Sequence, residues 1–329
     1  MSDVGLVRFA SLALAVSEEV LPAYGHRFSP QRFRQPQLLA ILCLMRYEDW
    51  TFRAAEVRLN EHGELRGALQ LAAVPHYSTL YRFMLRVEEG VIAQALAEVV
   101  RRLEKLGGSP GSQRRPKRHT VAVDATGLAP GSISTFFVRR REQHGGAAMP
   151  WRYWLKWLLA IDVDLRVVLA QSAHQGPTND CATLRPLLDQ AVQVNPIHLV
   201  VADAEFDSER NHLHIRQRLG AQSVIPAKRG KASWKLHGIR AQMRAAFPQA
   251  TYRRRVHAET VFSAIKRKLS AKAPGRSVTT QCKQALLLGL AYNIYRLWRQ
   301  RIQFGLSQPL LTRAFQQSHI ASRGSAAHS

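Results

Sequence analysis

Asp124, Asp203 and Glu259 are the side chains best suited to act together. Glu259 is the only carboxylate side chain between Arg210 and the C-terminus, a stretch of 120 residues with 23 Lys and Arg and no Asp. Asp124 and Asp203 each follow a short apolar run of β type, Thr120 to Val123 and His198 to Ala202. In open α/β sheets strand ends face the ligand crevice, so acids placed there can converge. Taken singly, each Asp is equally well a turn or cap residue. With Glu259 on a helix, the three could enclose a pair of divalent cations. Without cations, carboxylates so close repel and one holds a proton. Oxygen-only ligands select hard ions, Mg²⁺ or Mn²⁺. Two such ions roughly 3.5 to 4 Å apart stabilise the attacking and leaving oxygens of an in-line phosphoryl transfer.

The residues around Glu259 fit that chemistry. Arg255 and Lys266 lie about 40° and 20° from it around a helix axis, on one face with Tyr252. The alternative is an ordinary i,i+4 ion pair between Arg255 and Glu259. Arg254, Arg267 and Lys268 add positive charge beside them, making a candidate DNA-binding surface around the acid.

The whole chain agrees in sign. Its formal charge of +24 over 329 residues calls for a polyanionic partner, and nucleic acid fits. No long amphipathic basic helix or lipidation motif favours a membrane surface. The apolar runs Phe9 to Val16 and Ala285 to Trp298 are too short to span a bilayer, and the first lacks the basic start of a signal peptide. Cys43, Cys181 and Cys282 form no CxxC pair and no zinc spacing. A soluble protein of the cytoplasm is expected.

The elements that must position the acids change character along the chain. Residues 1–106 read as helical. Pro36 starts a helix over 37–45, Thr51 caps one reaching about Leu59, Ser78 caps one over 79–87, and a fourth follows Gly90. Short helices with polar connections fit a helix-turn-helix-like module or a plain bundle. Residues 107–118 (GGSPGSQRRPKR) are a basic linker by composition. Strands are expected at 120–123, 153–161, 167–172, 198–202 and 223–226, and helices at 184–192, 211–219, 255–269 and 282–299. This is a mixed α/β domain with a central sheet over 119–302, preceded by an all-α region. The tail from 303 is expected to be disordered.

These segments resemble the bacterial and archaeal insertion-sequence transposases that carry a DDE triad. The match lies in VAVDATGL (Val121 to Leu128), VVADAEFDSERN (Val200 to Asn211), ETVFSAIKRKL (Glu259 to Leu269), ALLLGLAYNIYRLW (Ala285 to Trp298) and HYSTLYRF (His76 to Phe83). Tyr252, Arg255, Glu259 and Lys266 keep the spacing of that family's C-terminal signature. The resemblance implies a ribonuclease H-like catalytic fold, Asp124, Asp203 and Glu259 as catalytic and metal-binding acids, and two Mg²⁺ ions (Mn²⁺ as the alternative). It implies cleavage and strand transfer at the ends of a mobile element. The partners would be double-stranded DNA, both terminal inverted repeats and target, and further copies of the chain, at least a dimer. Location would be the prokaryotic cytoplasm, at the nucleoid. Tyr252, Arg255 and Lys266 would contact DNA near the scissile phosphate. Two residues depart from the pattern: Glu205 stands where a small residue is usual, and Ala258 where an aliphatic such as Val is common. Glu205 is read as pointing to solvent.

Other residues invite weaker readings. His257 should face away from the acids. His212 and His214 lack a third ligand. Trp151, Tyr153, Leu155 and Trp157 share one strand face, read as core, with base stacking as the alternative. Arg139, Arg140 and Arg141 suit contact with a DNA backbone. Two rival functions remain: a basic DNA-binding protein that does not cleave, and a metal-dependent nuclease without strand transfer.

Overall fold

The computed structural model describes residues 5–26, 28, 31–107, 119–130, 154–176, 179–228 and 237–303. The basic linker, the Arg139–Arg141 run, Trp151, Tyr153 and the tail beyond 303 lie outside them.

Five strands form one mixed sheet in the order β3-β2-β1-β4-β5. They are β1 (His119–Leu128), β2 (Leu155–Asp162), β3 (Val167–Gln175), β4 (Ile197–Ala202) and β5 (Gln222–Val224). β2 runs antiparallel to β1 and to β3, while β4 runs parallel to β1 and β5 to β4. The parallel pairing of β1 with β4 ends at Val123 opposite Ala202. β1 itself continues beyond that point, pairing with β2 alone as far as Leu128. Asp124 therefore does not close its strand, as the apolar run suggested. It sits mid-strand, at the step where one of two neighbours stops.

Before the sheet come α1 (Leu6–Val20), α2 (Gln35–Tyr47), α3 (Phe52–Glu61), α4 (Gly63–Ala68), α5 (Tyr77–Arg86) and α6 (Glu89–Gly107). Thr51 caps α3 as expected, its hydroxyl accepting from the Ala54 N–H at 3.1 Å. The cap of α5 is His76 rather than Ser78: its ring Nδ1 accepts from the Ser78 N–H and pairs with the Ser78 hydroxyl, so the helix begins two residues early.

Within the second half, α7 (Leu184–Val194) packs on β2 and β3. α8 (Glu209–Leu213) continues into a π-helical turn over His214–Arg218. α9 (Gly238–Ala245) and α10 (Gln249–Tyr252) are additional to the elements read from the sequence, and a 3₁₀ turn over Arg253–Arg255 leads into α11 (Val256–Lys268). The last helix, α12 (Val278–Gln303), is longer than the 282–299 expected. The middle of α12, residues 280–295, is buried between β3 on one side and α1, α2 and α6 on the other. Its polar groups find partners. The Asn293 amide accepts from the Val168 N–H at 2.9 Å and donates to the Val168 carbonyl at 2.7 Å. Tyr292 and Arg296 donate to the carbonyls of Arg166 and Leu165. Trp157 is buried, donates to Gln171 at 3.3 Å and meets Phe262 edge to face, which bears out the core reading for that residue.

α11 buries Ala258, Val261, Phe262 and Ile265, one helical stripe, against the sheet. The chain after it is fastened to the end of β1: the Ala129 N–H donates to the Ala271 carbonyl at 3.1 Å and the Ala273 N–H to the Ala129 carbonyl at 2.8 Å. Buried Arg46 of α2 donates to the Lys272 carbonyl at 2.8 Å, so the helical region helps hold this junction. α11 is thereby laid across the strand that carries Asp124.

Candidate active site

The register of the sheet brings the first two acids together. Val123 faces Ala202, so Asp124 and Asp203 are the next residues of two adjacent parallel strands. Asp203 leaves the sheet at once. Its carboxylate accepts from the Glu205 N–H at 2.6 Å and caps the 3₁₀ turn Ala204–Phe206. Glu259 stands in the first turn of α11.

Arg255 joins the helix to the strand. Its Nη1 donates to Asp124 Oδ2 at 2.9 Å and its Nη2 to Glu259 Oε1 at 2.5 Å. The i,i+4 pair weighed as the plain alternative is thus present, and the same guanidinium reaches the sheet as well. Lys266, on the same helix face, donates to Thr126 Oγ1 at 2.5 Å. Thr126 was not singled out from the sequence. Strand alternation carries the signal, since it lies two residues beyond Asp124 on the same face. Tyr252 packs edge to face on Phe247 and lies 5.9 Å beneath the Arg255 guanidinium.

The electrostatics describe one cluster. Burial, with smaller help from the negative charges of Asp203 and Glu259, pushes the Asp124 carboxyl up to about 6 against the pull of Arg255 and the Ala125 N–H. Burial raises the Tyr252 phenol, with Asp203 and Asp124 adding to the rise. Burial works against the Arg255 cation, yet Asp124, Tyr252 and Glu259 outweigh it and hold its pKa above the ordinary value. Burial alone lowers Lys266.

The expected metal cage is not assembled. Among the described residues, no group of three or more His, Cys, Asp or Glu side chains is placed to hold a metal ion. Asp124 and Glu259 are instead joined through the Arg255 guanidinium, which donates to both. The donor chemistry suits a hard cation, being oxygen-only and rich in negative charge.

The remaining basic candidates divide. Arg254 pairs with Asp164 of the β2–β3 turn at 3.1 Å, away from the acids. Lys268 lies 5.0 Å from the centre of the Tyr295 ring on α12. Arg267 is exposed, donating to the Ser263 carbonyl at 3.3 Å. Glu205 is exposed as expected, with Lys156 3.8 Å away. His257 is half-buried. The His212–His214 pair is no metal site: His212 meets Ser223 at 2.8 Å, and His214 meets Asp189 at 3.0 Å.

Strand order, parallel pairing of the acid-bearing strands and an acid on a following helix define a ribonuclease H-like domain of the transposase type. Residues 115–294 match the Transposase DDE domain, more than half of the chain, and the protein belongs to that family. A comparison with curated proteins gave no match. No described helix is long and apolar enough to cross a membrane.

Proposed function

We propose that this protein is an active DDE transposase, cutting DNA at the ends of a mobile element and joining the freed ends to a target. The observation that carries the reading is that Asp124 and Asp203 follow paired residues of neighbouring parallel strands, with Arg255 tying Asp124 to Glu259 of α11. Asp124, Asp203 and Glu259 would hold two divalent ions, Mg²⁺ or Mn²⁺. Such ions supply Lewis-acid stabilisation of the attacking and leaving oxygens.

The chain's own groups do the rest. Lys266 and Tyr252, beside the acids, would hold the DNA backbone in line, and Arg254, Arg267 and Lys268 would add positive charge for it. In the first step a water oxygen bonds to the scissile phosphorus and the P–O3′ bond breaks, leaving a 3′-hydroxyl and a 5′-phosphate. In the second, that 3′-hydroxyl bonds to a target phosphorus and displaces the target's own 3′ oxygen. Residues 119–302 would form the catalytic domain, and residues 1–106 would serve DNA binding or assembly into at least a dimer. A protein with this task works at the prokaryotic nucleoid.

The test is Mg²⁺-dependent nicking of element-end DNA by the wild type, abolished in Asp124→Asn, Asp203→Asn and Glu259→Gln. Joining of a labelled end to a plasmid separates a transposase from a simple nuclease. The bridge made by Arg255 favours a second reading, a DNA-binding protein that does not cleave. That reading stands if the wild type gives no nicking while its DNA affinity still falls steeply with salt.

A further inference from the structure

Resting on the metal-site reading above, we infer that Arg255 is an internal counter-ion that keeps divalent metal out of the acid cluster until a DNA phosphate draws it away. One side chain makes both contacts: Nη1 holds Asp124 Oδ2 at 2.9 Å and Nη2 holds Glu259 Oε1 at 2.5 Å. These are the two acids a bridging ion would need. A guanidinium and a dication cannot share those oxygens without strong like-charge repulsion at contact distance.

Solvent reaches the arginine. It lies in the 3₁₀ turn ahead of α11, and its side chain is 21% exposed, against 53% for its partner Glu259. A nucleic-acid phosphate offers the planar guanidinium two oxygens, the same bidentate match that a carboxylate can make. Exposed Arg253 stands two residues away to attract such a phosphate. Metal and DNA then bind with positive coupling, and by linkage each tightens the other by the same factor. The acids would be loaded only with DNA in place, which confines hydrolysis to the bound substrate.

The experiment measures Mn²⁺ affinity from the loss of the free-ion electron paramagnetic resonance signal. It uses the full chain as wild type, Arg255→Gln, Arg255→Lys and Asp124→Asn, each with and without a mixed-sequence duplex, the duplex's own binding subtracted. Without DNA, Arg255→Gln should bind Mn²⁺ at least about tenfold more tightly than the wild type. Arg255→Lys, whose single nitrogen cannot span both acids, should fall between them. The duplex should tighten the wild type by a similar factor and leave Arg255→Gln nearly unchanged. An Asp124-dependent Mn²⁺ site equally strong in wild type and Arg255→Gln, with DNA and without, overturns the counter-ion role and spares the metal site. Mn²⁺ binding that Asp124→Asn does not alter in any state overturns both.

Discussion

Asp207 and Asp124 each meet an arginine, with opposite results. Asp207, just past the turn that Asp203 caps, receives Arg240 through two nitrogens, Nε on Oδ1 at 2.8 Å and Nη2 on Oδ2 at 2.6 Å. It also accepts from the Lys228 N–H at 2.9 Å. Burial alone would raise this carboxyl, but those bonds and the charges of Arg240 and His212 outweigh it and hold it below the ordinary range. Asp124 gets one nitrogen of Arg255, shares that arginine with Glu259, and has two acids for neighbours; its carboxyl is pushed up to about 6. A forked, exclusive pair is a fastening, stable in the fold as it stands. A shared, one-point pair leaves negative charge uncompensated, the condition of a site built to receive something more.

The comparison breaks most visibly through Asp207→Ala. The side chain of Asp207 is fully buried and that of Arg240 is 13% exposed, so the variant strands a guanidinium that solvent reaches poorly. The expected loss is about 3–5 kcal/mol in urea unfolding. A loss below about 1 kcal/mol would mean that Arg240 finds another partner and that the pair fastens nothing.

Asp124→Asn should move stability the other way. A carboxyl whose folded pKa of about 6 exceeds its reference value of 3.8 is favoured by the fold in its protonated form. Its penalty is therefore absent below about pH 4, grows between pH 4 and 6, and is complete above. At pH 8 the variant should be more stable by about 2–3 kcal/mol, a gain that fades towards zero at pH 4. Unfolding at pH 4, 6 and 8 reads this directly, and a gain independent of pH would show that the fold does not raise the Asp124 carboxyl. The same variant should have lost all nicking, setting stability against function at one residue.

The two aspartates also show what the sequence disclosed. The apolar runs that lead to Asp124 and Asp203, the central sheet and the closing helix α12 were legible, because apolar runs are local signals, whereas the strand order rests on pairings between distant segments. The extension of β1 past Asp124 was not, since it depends on β2 as partner, thirty residues on. α9 was hidden for a similar reason. The N–H groups of Ile239 and Arg240 at its start are capped by Glu209, from α8, and Gly238 at φ +59 lacks the Cβ that would collide with that carboxylate. The bridge of Arg255 was half visible: its i,i+4 reach to Glu259 follows from spacing, its reach to Asp124 only from the packing of α11 on β1.

Gly289→Ala tests a third polar anchor, intermediate in size. A Cβ there would lie 2.2 Å from Gln171 Oε1, and Gln171 is held by the Leu286 carbonyl and Trp157. Displacing it should cost about 1–3 kcal/mol in thermal or urea unfolding. A neutral variant would show that the amide can swing aside and that α12 does not depend on it.

Arg254 extends the comparison to its weakest member. Its pair with Asp164 spans 3.1 Å between side chains 36% and 35% exposed, where solvent screens most of the attraction. Arg254→Gln should change unfolding stability by less than about 1 kcal/mol. If Asp164 is only a resting place and the arginine works on DNA, the logarithmic salt dependence of DNA affinity should become shallower by about one ion. An unchanged slope would remove Arg254 from the DNA-binding surface and leave it with Asp164, a fastening like Arg240 but too solvated to hold much.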